Sequence, residues 1–101
     1  MSTEKIKVTV DSDLEELIPG FLENRKKDIS TLNEALSNDN FESIRSIGHS
    51  LKGVGGGYGF KMISELGAQI ETSAKGPDKV ALGKLINELA DYLDRVEVIF
   101  E

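Results

Sequence analysis

Apolar residues recur at steps of three and four through almost the whole chain, a period that suits packed helices and little else. The first such segment carries Leu14, Leu17, Ile18, Phe21 and Leu22, continued by Ile29, Leu32, Ala35 and Leu36. The second carries Phe41, Ile44, Ile47, Leu51, Val54 and Tyr58, and the third Phe60, Ile63, Leu66, Ile70 and Ala74. The fourth runs through Leu82, Leu85, Leu89, Leu93, Val96 and Phe100. Each segment has one apolar stripe and must bury it against the others. Joined by short connections, the four segments predict an all-α, antiparallel up-down-up-down four-helix bundle over residues 11–101.

The breaks between segments carry their own chemistry. Asp11-Ser12-Asp13 is a cluster of good N-cap residues, with Ser12 and Glu15 placed as a capping box. Pro19 is tolerated only in a first helical turn, so a short helical turn is expected before it and the main helix from about Pro19 to Ser37. Asn38-Asp39-Asn40 reads as a turn, with Asp39 and Glu42 forming a second capping signal. Gly59 punctuates the next boundary. Gly76-Pro77-Asp78 is a stop and a restart, the glycine suiting a left-handed C-terminal position. Only Lys5-Ile6-Lys7-Val8-Thr9-Val10 alternates with the period of an extended segment. With no second strand evident for it to join, residues 1–10 are expected to form an N-terminal extended arm across the helices.

Composition narrows the chemistry. The chain has 101 residues, enough for one domain, and no cysteine, which removes disulfides, thiolate metal sites and cysteine nucleophiles. Its single histidine removes a multi-histidine metal centre. A net charge of -6 argues against nucleic acid or an anionic membrane as partner. Residues Met1 to Lys7 hold no apolar signal core, and no run approaches the roughly 18 apolar residues of a spanning helix. The expectation is a soluble, cytoplasmic protein.

The single histidine, His49, sits in the run His49-Ser50-Leu51-Lys52-Gly53. At about 100° per residue it lies about 160° from the core residue Leu51, on the outward side of the second helix. Arg45, Lys52 and Gly56 share its stripe, so an acidic protein places a small basic strip around its one imidazole. An exposed imidazole is largely neutral near pH 7 and can act as a nucleophile, a lysine can hold an anion, and a glycine leaves room for an approaching group. These are the needs of a phosphoryl acceptor, although spacing alone equally allows a solvated face that happens to contain a histidine.

The glycines add weight. Gly48, Gly53, Gly55, Gly56 and Gly57 fall in or just beyond this helix. Each weakens a helix interior by about 1 kcal/mol relative to alanine, in a domain holding only about 5–10 kcal/mol of net stability. Gly55 suits close helix packing, or an early end to the helix, while Gly53 and Gly56 face outward beside His49. No window matches G-x-G-x-x-G, no G-K-[ST] follows and no strand precedes, so a phosphate-cradling nucleotide loop is not expected. Carboxylate pairs such as Glu15-Glu16 read as solvated faces. No nucleophile elbow marks a serine hydrolase, and Tyr58 and Tyr92 suit the core edge.

The segment from Ile44 to about Lys75 resembles the histidine-containing phosphotransfer (HPt) domain of multistep two-component phosphorelays. The resemblance rests on His49-Ser50-Leu51-Lys52-Gly53, on Gly59 ten residues after the histidine, and on Phe60, Ile63, Leu66 and the pair Ile70-Glu71. It implies that His49 accepts a phosphoryl group from a receiver-domain aspartate and passes it to another receiver. It further implies that Lys52 neutralises the phosphoryl oxygens and that Gly53 leaves space for the receiver. Glu71, on the facing helix, would stand where the family often has a polar residue orienting the imidazole, and Lys75 would be an additional cation. Arg45 and Gly56 would belong to the docking surface. The partners implied are response-regulator receiver domains and a hybrid histidine kinase. The chain would act as a monomeric carrier rather than an enzyme, with no cofactor of its own and the Mg²⁺ of the transfer held by the receiver.

Two other readings compete. A dimerisation and phosphoacceptor domain of a sensor kinase usually follows its histidine with an acidic residue and places a proline about five residues on. Here Ser50 follows and the next proline is Pro77. A helical scaffold or adaptor whose histidine is never phosphorylated remains the alternative.

Overall fold

The computed structural model describes residues 4–101. Strand β1 (Ile6–Val10) leads through a single 3-10 turn (Ser12–Leu14) into α1 (Ile18–Ser37). Helices α2 (Phe41–Gly57), α3 (Lys61–Lys75) and α4 (Lys79–Arg95) follow, and strand β2 (Val96–Phe100) closes the order. The described residues are mostly helical, with four α-helices as the apolar period requires. α2 packs most extensively on α3, while α1 lies against α4 and α2, and α3 also against α4. Leu32, Ile44, Phe60, Ile63, Ile70, Leu82 and Leu89 are fully excluded from solvent between them, and among the described residues no charged or polar residue is buried. Leu17, read with the apolar stripe, is instead about half exposed, because it precedes the first turn of α1.

The helix boundaries follow from local hydrogen bonding. At the end of α1, the N–H of Asn40 reaches the carbonyl of Ala35 and that of Asp39 the carbonyl of Leu36. This is a Schellman closure with Asp39 in the left-handed position, φ 55°. Asp39 is thus consumed in ending one helix and cannot cap the next. The cap of α2 is Asn40, whose Oδ1 accepts from Ser43 N at 3.2 Å, so the expected Asp39–Glu42 capping box does not form. The same closure ends α2, with Gly59 at φ 88° and the N–H of Phe60 on the carbonyl of Gly55. Gly76 has φ -114° and does not adopt the left-handed conformation expected of it. Asp78 caps α4 through Ala81 N. At the N-terminal turn Asp11, not Ser12, is the cap, accepting from Asp13 N. Ser12 instead donates its N–H to the Glu101 carbonyl.

The terminal segments correct the expected fold class. The last helix was expected to carry Val96 and Phe100, but it ends at Arg95, and Val96–Phe100 pairs with Ile6–Val10 as a two-stranded parallel sheet, Ile6 opposite Val96. Ile6–Val10 of the expected arm is therefore a paired strand, preceded by Glu4 and Lys5 without regular structure; the arm's first three residues lie outside the described residues. Ile6, Val8, Val10, Val96, Val98 and Phe100 turn to the core cluster, with Lys7 and Glu97 on the outer face. β-branched residues at period two fit a strand better than a helix end. Arg95 fastens the junction by donating from Nε to the Glu4 carbonyl at 2.8 Å while its guanidinium pairs with Asp91. No described helix is long and apolar enough to cross a membrane.

Candidate functional site

The α2–α3 contact is built on glycine. A Cβ added at Gly48 would stand 2.7 Å from the Glu71 nitrogen and 2.9 Å from the Gly67 oxygen. One added at Gly67 would stand 2.6 Å from the Lys52 nitrogen, and one at Gly55 2.5 Å from the Ser64 nitrogen. Real Cβ atoms do not approach backbone so closely. The two helices therefore meet backbone to backbone along Gly48 and Gly55 on one side and Gly67 on the other. Ser64 adds a hydroxyl bond to the Lys52 carbonyl at 2.8 Å.

This close approach sets the geometry of the imidazole. His49 follows Gly48 on α2, and Glu71 lies one turn beyond Gly67 on α3. Their side chains meet, His49 Nδ1 to Glu71 Oε2, at 3.0 Å. Because a carboxylate only accepts, Nδ1 donates its N–H and the lone pair of the neutral ring lies on Nε2. The His49 side chain is 74% exposed and that of Glu71 17%. A ring held from beneath by a largely covered carboxylate thus presents its free nitrogen to solvent.

A shallow cavity of about 330 Å³ surrounds the pair, lined by Arg45, Ser46, His49, Glu71 and Lys75. Arg45 and Lys75 also border the adjoining depression with Phe41, Glu42 and Ala74. No ion pair among the described residues engages Arg45, Lys52 or Lys75, so Arg45 and Lys75 are uncommitted cations in the cavity and Lys52 is a third on the same helix as His49. Lys52 stands apart from the cavity, one turn further along α2. A Cβ at Gly53 or Gly57 would meet nothing within 4 Å, and one at Gly56 only the Ser64 hydroxyl at 3.8 Å. Past this bare strip, Tyr58 stacks on Phe21 with ring centroids 4.4 Å apart, and Phe21 also stacks on Phe60. Among the described residues no cluster of three or more His, Asp or Glu side chains is arranged around a common metal position.

Of the residues picked out in the sequence, the structure brings Arg45, His49, Glu71 and Lys75 into one cavity and leaves Lys52, Gly53 and Gly56 on the outward face beyond it. Gly48, Gly67 and Ser46 were passed over in this role. The seven-residue interval between Gly48 and Gly55 repeats one side of a helix and carried the packing signal, whereas Ser46 had only its position three residues before His49.

The sequence model of one protein family, described as the Hpt domain, matches residues 16–98. β1 and the end of β2 lie outside the matched span. No curated protein matches, and no solved structure does.

Proposed function

The chain belongs to the Hpt domain family, whose members carry phosphoryl groups in two-component signalling, and from that premise we propose that His49 is the phosphoacceptor of a receiver-to-receiver relay. The observation that carries this reading is the His49–Glu71 pair, which leaves Nε2 both nucleophilic and solvent-facing. In the transfer, the Nε2 lone pair attacks phosphorus, the bond from phosphorus to the aspartyl oxygen breaks, and the aspartate leaves as a carboxylate. The proton on Nδ1 stays in place throughout. The return transfer reverses these bonds on a second receiver.

Phosphoryl transfer depends mostly on positioning and charge neutralisation. We assign neutralisation of the phosphoryl oxygens to Lys52, with Arg45 and Lys75 supplying further positive potential from the cavity. Gly53 and Gly56 keep the face bare, so a receiver can bring its aspartate and its Mg²⁺ to Nε2. In this reading the four helices alternate in direction, the arrangement that connections of three residues impose on packed neighbours. The working state is a cytoplasmic monomer, without its own cofactor, that meets receiver domains and a hybrid histidine kinase.

Incubation with a phosphorylated receiver domain, or with a hybrid kinase and labelled ATP, tests the assignment. The expected product is an acid-labile, base-stable phosphoryl group that vanishes in His49→Gln. Label retained in that variant, or no label from any receiver tried, would overturn it and favour a non-phosphorylated scaffold.

A further inference from the structure

The acceptor on Nδ1 of His49 is a carboxylate, and a carboxylate does more than orient a ring. Only the neutral ring has a lone pair with which to attack phosphorus. Once Nε2 carries phosphorus while Nδ1 keeps its hydrogen, the ring bears a positive charge, 3.0 Å from Glu71 Oε2. A neutral acceptor such as an amide would hold the ring at the same angle without answering that charge.

Resting on the assignment of His49 as phosphoacceptor, we infer that the Glu71 charge sets the balance point of the relay, drawing the phosphoryl group from the receiver aspartate onto this protein. The bonds are those of the transfer itself: phosphorus to the aspartyl oxygen breaks, phosphorus to Nε2 forms, and no proton moves. The aspartate ends as a carboxylate and the imidazole as a phosphorylated cation. Glu71 is hydrogen-bonded to the ring that turns positive, whereas the phosphoryl dianion it repels sits beyond that ring on Nε2, exposed to solvent and beside the cations. The attraction outweighs the repulsion, so Glu71 acts on the equilibrium as well as on the geometry.

The surroundings define the size of the effect. Glu71 is only 17% exposed, which protects its field from screening on the protein side, whereas the His49 ring is 74% exposed and partly screened. Arg45 and Lys75 line the same cavity and act in the opposite sense on the ring, but they attract the phosphoryl dianion. Among the described residues Glu71 is the one carboxylate lining that cavity. A half-exposed pair of this kind corresponds to roughly a fivefold change in an equilibrium constant.

The experiment equilibrates the full chain with the receiver that labels it. The ratio of phosphohistidine to aspartyl phosphate is read at long times, when rates no longer matter. In Glu71→Gln, which keeps an acceptor on Nδ1 but not the charge, the ratio is expected to fall about fivefold toward the receiver. Glu71→Ala, which removes both, should fall at least as far. A second readout uses no receiver: His49 phosphorylated with phosphoramidate is followed by ¹⁵N NMR. At neutral pH the phosphorylated ring should keep its Nδ1 hydrogen in the unsubstituted protein and lose it more readily in Glu71→Gln. A Glu71→Gln ratio equal to that of the unsubstituted protein, with label still on His49, would overturn the inference and leave Glu71 as an orienting residue. Absence of label on unsubstituted His49 would instead overturn the phosphoacceptor assignment on which it rests.

Discussion

Helix α2 carries two sets of glycines that share a residue type and little else. Gly48 and Gly55 face α3, where an added methyl group would strike backbone atoms under 3 Å away. Gly53 and Gly57 face open space, and Gly56 meets only one side-chain hydroxyl at ordinary contact distance. Each glycine weakens the isolated helix by a similar amount, about 1 kcal/mol, so propensity cannot tell the sets apart. The packed set offsets that weakness by letting two helices touch, and its dividend is geometric: it brings a carboxylate on α3 within 3.0 Å of an imidazole on α2. The open set has no packing return, and it leaves a smooth surface beside His49.

Adding methyl groups tests this division. Gly67→Ala, opposite Gly48, places a Cβ against the Lys52 nitrogen and should force α2 and α3 apart, lowering stability by about 2–3 kcal/mol in urea denaturation. The same shift should lengthen the His49–Glu71 contact, visible as a changed Nδ1 resonance. A Gly67→Ala protein of unaltered stability would break the comparison. Gly53→Ala is expected to act in the other direction. With nothing within 4 Å of its Cβ, the substitution should raise stability by about 0.5–1 kcal/mol, while slowing phosphoryl transfer from a receiver that needs the bare surface. Faster or unchanged transfer would show that the open glycines serve no docking partner. The smallest stability effect belongs to Lys52→Ala, which removes an exposed side chain and leaves the Ser64 bond to the Lys52 carbonyl intact. Stability should stay within about 0.5 kcal/mol while transfer slows, and unfolding of this variant would place Lys52 on the wrong side of the division.

The terminal strands and the helices were unequally legible. The helical stripes were plain because each repeats its period over three or more turns, and α2 and α3 begin and end close to where that period does. Residues Val96–Phe100 satisfy two periods at once. Leu93, Val96 and Phe100 continue a helical spacing, while Val96-Glu97-Val98-Ile99-Phe100 alternates as a strand. The choice between them depends on Ile6–Val10, almost the whole chain away, which supplies the hydrogen bonds that a lone strand lacks. The Asp39–Glu42 box was misread for a more local reason: two helix ends competed for one residue, and the left-handed closure of α1 took it.

By itself the sequence determined that the chain is helical, that His49 stands opposite the core stripe of its helix, and that basic residues and glycines share its face. These properties need only the geometry of one helix, which fixes every side-chain direction to about 100° per residue. The tertiary structure alone decided that the glycines divide into two kinds, that Glu71 reaches Nδ1, that Arg45 and Lys75 from different helices border one cavity, and that the two ends of the chain pair as a sheet. Each of these depends on the distance and rotation between separate elements. Those relations are set by which backbones can touch, and no period within a single segment records them.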